Sequence, residues 1–151
     1  MSFVFVKATP SDIPYLLSVR EQTMSEHLIR AGRNLTTEEH MQRVLHRYEL
    51  AHIIELEGVN IGALKYNASS VPVQVLQLQI APSFQNRGYG TKILRQLITT
   101  HPDAGVSLSV LKENPALQLY LRMGFQRVDE DALEYHLRSP AQQAADNNKK
   151  V

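Results

Sequence analysis

At 151 residues, with 16 Lys and Arg against 15 Asp and Glu, the chain is sized for a single domain that buries roughly 70% of its unfolded surface without a disulfide or metal staple. It contains no Cys, which excludes a disulfide scaffold, a thiolate zinc site, an iron–sulfur cluster and a cysteine nucleophile. A net charge of +1 argues against a dedicated nucleic-acid binder, which carries a large basic excess.

Phe3 to Ala8 reads as a strand. Thr9-Pro10-Ser11-Asp12 supplies capping residues and a first-turn Pro, and opens a helix through Ile13, Leu16, Leu17, Met24 and Leu28 that Gly32-Arg33-Asn34 breaks. Thr36 to Glu39 has the form of a capping box and starts a second helix through Met41, Val44, Leu45 and Tyr48. His52–Glu57, a Gly58-Val59-Asn60 turn and Ile61–Tyr66 predict a hairpin. Val71–Ile80 alternates Val73, Val75, Gln77 and Gln79 with Gln74, Leu76, Leu78 and Ile80, the pattern of a strand with one buried face. After the Gly-containing turn Gln85–Gly90 comes a helix holding Ile93, Leu94, Leu97 and Ile98, then a strand over Val106–Leu111. A helix from Pro115 to Arg122, stopped by Gly124, and strands near Phe125–Val128 and Leu133–Leu137 complete the order.

The result is a mixed α/β layout, β-α-α-β-β-β-α-β-α-β-β. Val71 to Leu111 forms one right-handed β-α-β crossover, so its two strands are parallel. Residues 3–138 are expected to form one domain, and 139–151, which lack periodic apolar residues, a disordered tail. The start of the chain has no signal-peptide character. The uncharged stretch from Tyr66 to Asn86 is interrupted by four Gln, three Ser and two Pro, too polar for a membrane span. A cytoplasmic setting with no membrane partner is expected.

The segment Ile80-Ala81-Pro82-Ser83-Phe84-Gln85-Asn86-Arg87-Gly88-Tyr89-Gly90-Thr91-Lys92 joins a strand to a helix through glycines. A helix N-terminus there offers unpaired N–H groups and a positive dipole end to a phosphate, and Gly88 and Gly90 allow approach that a Cβ would block. The P-loop spacing is absent. The dinucleotide fingerprint fails because position 93 is Ile where a third Gly is required. What remains is Gln-x-x-Gly-x-Gly over Gln85–Gly90, which resembles the acetyl-CoA pyrophosphate loop of the GNAT superfamily of N-acetyltransferases. A ligand-free glycine turn is the alternative at this point. A second segment, Asn114-Pro115-Ala116-Leu117-Gln118-Leu119-Tyr120-Leu121-Arg122-Met123-Gly124-Phe125, resembles the later motif of that family in Ala116, Leu119, Tyr120, Gly124 and Phe125. Asn114 stands one residue nearer the Ala than in the commonest version.

The resemblance covers residues 3–138. It implies a GNAT-like fold of about seven strands and four helices with a splayed parallel strand pair in the centre, and acetyl-CoA as acetyl-donor cosubstrate. By the resemblance, backbone N–H groups of Gln85, Asn86, Arg87, Gly88, Tyr89, Gly90 and Thr91 hold the pyrophosphate, and Asn114 contacts the cofactor arm. Main chain near Leu78–Ala81 pairs with the pantetheine, and the amide of Ile80 polarises the thioester carbonyl. An amine acceptor attacks directly, and Tyr120 protonates the leaving thiolate. Tyr120 also shares helical spacing with Leu117, Leu121 and Gly124, so core packing is its plainer role.

An alkylammonium acceptor must lose a proton before attack. The strand before the loop offers only Gln74, Gln77 and Gln79, and no Asp or Glu occurs from Gly58 to Pro102. The base is then a water relay or a residue from elsewhere: Glu26 and His27, where the family borders its acceptor site, or Glu134 and His136 on the last strand. Among the six His, the spacing of His40, His46 and His52 is not that of a zinc site, so no metal is expected. Lys65, Arg87, Lys92 and Arg95 make the acid-free stretch locally +4, a setting that steers a polyanion toward the glycine turn. A non-catalytic acyl-CoA-binding module and a plain nucleotide-phosphate binder are the competing functions. An exposed strand edge makes a homodimer plausible.

Overall fold

The computed structural model describes residues 2–30, 32 and 34–140, and of residues 25–30 the backbone only. β1 (Val4–Lys7) passes through a 3-10 turn at Pro10–Asp12 into α1 (Ile13–Arg30). The Thr9 N–H donates to Asp12 Oδ2 at 2.8 Å, which fixes the entry. α2 (Thr37–Leu45) opens on the capping box: the Glu39 N–H donates to Thr36 Oγ1 at 3.2 Å, and the Thr36 N–H to Glu39 Oε1 at 3.0 Å. It stops at Leu45 rather than reaching Tyr48, because His46 turns extended (ψ 122°) and Arg47 left-handed (φ 51°). Tyr48 lies in a 3-10 turn, its hydroxyl donating to the Thr9 carbonyl at 2.6 Å.

The hairpin comprises β2 (Ala51–Leu56) and β3 (Val59–Asn67). Its turn is Glu57-Gly58, not Gly58-Val59-Asn60. Both residues have positive φ (52° and 79°), the two-residue geometry whose twist matches that of the strands, so Val59 and Asn60 pair within the ladder. The remaining elements are β4 (Val73–Ile80), α3 (Tyr89–Thr100), β5 (Val106–Leu111), α4 (Ala116–Arg122), β6 (Gln126–Glu130) and β7 (Glu134–Arg138). The seven strands form one sheet in the order β1-β2-β3-β4-β5-β7-β6. Only β4 and β5 are parallel neighbours, as the crossover requires.

Apolar clusters lie on both faces. On one, Ile93, Leu94 and Leu97 of α3 and Leu117 of α4 pack on Ile54, Leu64, Val73, Val75 and Val110. On the other, Leu16 of α1 and Val44 of α2 pack on Ala51, Ile53 and Ala63. α3 is tied to the chain start by Gln96, whose Oε1 accepts from the Phe3 N–H and whose Nε2 donates to the Phe3 carbonyl, each at 2.9 Å. Ser139 follows β7 and is buried, its N–H donating to the Val106 carbonyl at 2.8 Å and its hydroxyl accepting from the Val106 N–H at 2.9 Å. Ser139 thus departs from the expected tail; after Pro140, which is exposed, residues 141–151 of that tail lie outside the described residues.

β4 departs from the strict alternation read from its residues. Tyr66 of β3 pairs with Val75 and Lys65 with Gln77, so Leu76 is an extra residue, a β-bulge. The bulge resets the pleat. Val73, Val75, Leu78 and Ile80 all meet the α3 cluster. Gln77 and Gln79 turn toward Leu16, Val44 and Lys65 on the opposite face. At the same point β4 leaves β5, pairing with it only at Val73↔Val106, Gln74↔Ser107 and Val75↔Leu108.

Gly62, on β3, sits opposite Ile80, and a Cβ there would lie 2.2 Å from the Gln79 carbonyl oxygen. Only glycine permits so close a backbone approach. Gly62→Ala is expected to cost about 1–3 kcal/mol of stability through overpacking. A urea unfolding midpoint that falls with unchanged slope checks this, and an unshifted midpoint contradicts it.

Candidate active site

Beyond Val75 and Leu108 the separated ends of β4 and β5, closed from one side by α4, border a cleft of about 640 Å³. It is continuous in its lining with a cleft of about 770 Å³ at the start of α3. Antiparallel pairing alternates the direction of backbone groups. The Ala81 N–H donates to the Ile61 carbonyl at 2.9 Å, so the amides of Ile80 and Leu78, each displaced to the next non-bonded register position, point away from β3 and toward the cleft. The Ile80 carbonyl accepts from Gln85 Nε2 at 2.9 Å, which draws the glycine loop onto the strand end.

In that loop Pro82–Phe84 forms a 3-10 turn, and Asn86 (φ 65°) and Gly88 (φ 77°) are both left-handed. Gly88 is the N-cap of α3, so no side chain caps that terminus, and the first turn contains no acid. The first-turn N–H groups have no intrahelical acceptor and stand at the positive end of the helix dipole, an arrangement suited to an anion. Ile80, Gln85, Gly90, Thr91, Asn114 and Tyr120 are brought to one cleft. Two loop side chains point elsewhere. Arg87 lies over the Phe84 ring, 5.6 Å from its centroid, and donates to the Ser83 carbonyl at 3.3 Å. The Tyr89 ring packs edge-on to Phe3, centroids 5.8 Å apart, so only its backbone is placed to serve the loop.

Tyr120 lies on α4 against Phe125, ring centroids 6.1 Å apart and edge-on. Burial raises its phenol pKa, which keeps the hydroxyl protonated at neutral pH. It shares the cleft wall with Leu78, Gln79 and Asn114. Asn114 Oδ1 accepts from the Ala116 N–H at 2.9 Å, so the residue starts α4 as well as lining the cleft. Glu26 and His27 fall on α1, and their side chains lie outside the described residues.

Comparison with known proteins agrees with this geometry. The acetyltransferase (GNAT) domain family matches residues 47–127. The chain belongs to the GNAT acetyltransferase family. Among solved structures, an acetyltransferase from Thermus thermophilus is 19% identical with a TM-score of 0.70, over 93% of this chain and 97% of that one. A PaiA N-acetyltransferase from Thermoplasma acidophilum, in complex with coenzyme A, is 18% identical with a TM-score of 0.63, over 92% and 99%. The ribosomal-protein-S18-alanine N-acetyltransferase from Escherichia coli is 13% identical with a TM-score of 0.67, over 93% and 94%. No curated protein sequence matches the chain. At these identities the solved structures establish the fold alone. The GNAT family uses acetyl-CoA.

The other mouth of this GNAT cleft, about 960 Å³, is bordered by Arg20, Arg43, His46, Gln77, Ser109 and Glu134. Several of its polar groups carry no sequence signal. Arg20 and His40 are buried together, Arg20 Nε donating to His40 Nδ1 at 3.2 Å. Burial, then the Arg20 charge, lowers the His40 pKa and keeps the ring neutral. Gln79 is 5% exposed, and its Nε2 has no hydrogen-bond partner among the described residues. Ser109 Oγ stands 2.6 Å from His136 Nδ1, and His136 Nε2 stands 3.2 Å from Asp131 Oδ2.

Lys65 corrects the expected cation cluster. It is 5% exposed on the α1–α2 face, and its ammonium donates to the carbonyls of Arg43 (2.9 Å), Val44 (3.1 Å) and His46 (2.5 Å). There it caps the C-terminus of α2 and is spent on the fold. Burial, with Arg20 adding repulsion, lowers its pKa to about 8 from 10.5. Between those values the unfolded chain binds more protons than the folded one, so Lys65 contributes stability that is complete above pH 10.5 and lost as pH falls through 8. The stability of the wild type minus that of Lys65→Met is therefore expected to increase from pH 8 to pH 10, read by urea titrations. A difference independent of pH contradicts this.

Proposed function

We propose that the protein is an N-acetyltransferase that moves the acetyl group of acetyl-CoA to a primary amine, by direct attack in a ternary complex, with residues 3–138 acting as one domain. The observation that carries this reading is the parting of β4 from β5, which gathers the Ile80 amide, the α3 N-terminus and Tyr120 around one cleft. The residues fit the cosubstrate: an uncapped helix start for a pyrophosphate, and a strand edge of backbone groups for the two amides of the pantetheine arm. Acetyl-CoA supplies an acetyl group activated as a thioester.

The backbone N–H groups from Asn86 to Thr91 bind the pyrophosphate, the Gln85 N–H expected among them being taken by the Pro82 carbonyl at 3.3 Å, and Leu78 and Ile80 orient the arm. The Ile80 N–H meets the carbonyl oxygen where negative charge develops, which lowers the barrier because the donor is already in place. The Tyr120 hydroxyl, which burial keeps in its protonated form, donates its proton to the departing sulfur and regains one from the nitrogen as the amide forms. Asn114, at the head of α4, holds the Tyr120 helix to the cleft wall. Direct attack needs no acyl-enzyme, in keeping with a chain without Cys.

Transfer is tested by following CoA release with a thiol reagent over polyamines, amino acids, aminoglycosides and peptides, a chain without Cys adding no background. Tight acetyl-CoA binding with no amine-dependent release favours a non-catalytic acyl-CoA-binding module, and preference for ATP favours a nucleotide-phosphate binder. Two variants separate the parts. A Cβ at Gly90 meets nothing within 4 Å, so Gly90→Leu is expected to fold normally and, by filling the cleft, to weaken acetyl-CoA binding at least about tenfold by calorimetry. Tyr120→Phe is expected to lower kcat by about 10²-fold with acetyl-CoA affinity unchanged. Equal turnover would leave Tyr120 a packing residue.

A further inference from the structure

The reaction proposed above needs a group to take the acceptor's ammonium proton, and β4 has none, since it carries Gln74, Gln77 and Gln79. Across the cleft, β5 and β7 place a different set of residues. Ser109 and His136 are directly opposite in register, and Ser109 Oγ lies 2.6 Å from His136 Nδ1. His136 Nε2 lies 3.2 Å from Asp131 Oδ2. The other carboxylate oxygen of Asp131 accepts the N–H groups of Leu133 (2.9 Å) and Glu134 (2.8 Å). These backbone bonds hold the carboxyl below its ordinary pKa, so Asp131 is a fixed anion. An anion on Nε2 sets the tautomer: Nε2 carries the hydrogen and Nδ1 keeps its lone pair for the Ser109 hydroxyl.

We propose that Ser109, His136 and Asp131 form a proton relay that deprotonates the acceptor amine. This rests on the acetyl-transfer reading of the same cleft. Ser109 borders both the part of the cleft that holds Tyr120 and the mouth bordered by Arg20 and Arg43, so its oxygen stands between the thioester end and the acceptor entrance. One N–H bond of the ammonium breaks as its proton passes to Ser109 Oγ, while the Ser109 hydroxyl proton passes to His136 Nδ1. The amine is left neutral, Ser109 is regenerated, and the imidazolium is held by the Asp131 carboxylate. His136, only part-buried, then returns its proton to water, and no other reactant is needed. Ser109 is the catalytic residue, and His136 and Asp131 act through it. The charged groups facing His136 are Asp131, Asp129 opposite it on β6, and Glu134 and Arg138 on its own strand face.

The test is the pH dependence of kcat/KM for a saturated alkylamine drawn from the acceptor screen, with acetyl-CoA affinity measured by calorimetry in each variant. His136→Gln and Ser109→Ala are expected to lower kcat/KM by about 10²-fold at pH 7 and to leave acetyl-CoA affinity unchanged. The deficit should shrink as pH rises and the amine sheds its proton unaided. Ser109→Thr, which keeps the hydroxyl, should restore most of the rate, and the Ser109 pair carries the test should His136→Gln fail to fold. A deficit equal at every pH, or no deficit, overturns the relay. So does an acetyl group trapped on Ser109, which would make it a nucleophile. A wild-type protein that binds acetyl-CoA but acetylates no amine overturns the relay while the cofactor site stands. One that does not bind acetyl-CoA overturns the acetyl-transfer reading and the relay with it.

Discussion

The cleft exists because β4 is held by one neighbour and released by the other. On the β3 side Gly62 lets the two backbones approach so closely that any side chain would collide with the Gln79 carbonyl. On the β5 side pairing ends at Val75↔Leu108. Between these constraints sits the bulge at Leu76, which bends and twists the strand locally. With β3 fixed, the bend carries β4 away from β5 rather than away from β3. The backbone groups of Leu78 and Ile80, which would otherwise complete the ladder, face the opening.

Charge is partitioned across the sheet in a way that the net value of +1 conceals. On the α1–α2 face the buried cations are satisfied internally: Lys65 by the last carbonyls of α2, and Arg20 in part by His40. On the α3 side the positive character comes instead from the uncapped start of α3, backed by Arg87, Lys92 and Arg95 in its neighbourhood along the chain. A helix terminus presents fixed partial charge without the desolvation cost of an ammonium, and so suits repeated binding and release of an anion. The burial that keeps Tyr120 protonated works in the same direction, since it leaves a neutral hydroxyl on the cleft wall for the proposed reaction.

Local chemistry made much of this legible in the sequence. The Thr36–Glu39 box, the glycine turn, the crossover and the Ala116–Phe125 motif are short-range patterns, and each became the element or turn read from it, save that α3 begins at Tyr89, inside the expected turn. Long-range register was not legible. A period of two over Val73–Ile80 carries no mark of an extra residue, because Leu76 becomes a bulge only through how Lys65 and Tyr66 pair. The same holds for Lys65, a surface cation by type, whose carbonyl partners lie some twenty positions earlier in the chain. Ser109 and His136 are 27 positions apart and meet through strand pairing alone. The one signal that could have drawn attention to Gly62 was an isolated glycine within an apolar strand, which marks close backbone approach.

A strand that stops pairing inside a sheet creates an interior edge. Exposed edges recruit extended chains, and proteins ordinarily blunt them with charge or proline, as β6 does at the outer margin with Arg127, Asp129 and Glu130. The inner edge at Leu78 and Ile80 has no such guard, because a guard would obstruct the arm of the proposed cosubstrate. Occupation of the seam by that arm would then do what a neighbouring strand does elsewhere, stitching β4 to β5. By mass action, resistance to heat and to misassembly would follow the supply of acetyl donor. The seam proposed for the acetyl donor and the weakest join of the sheet are one feature.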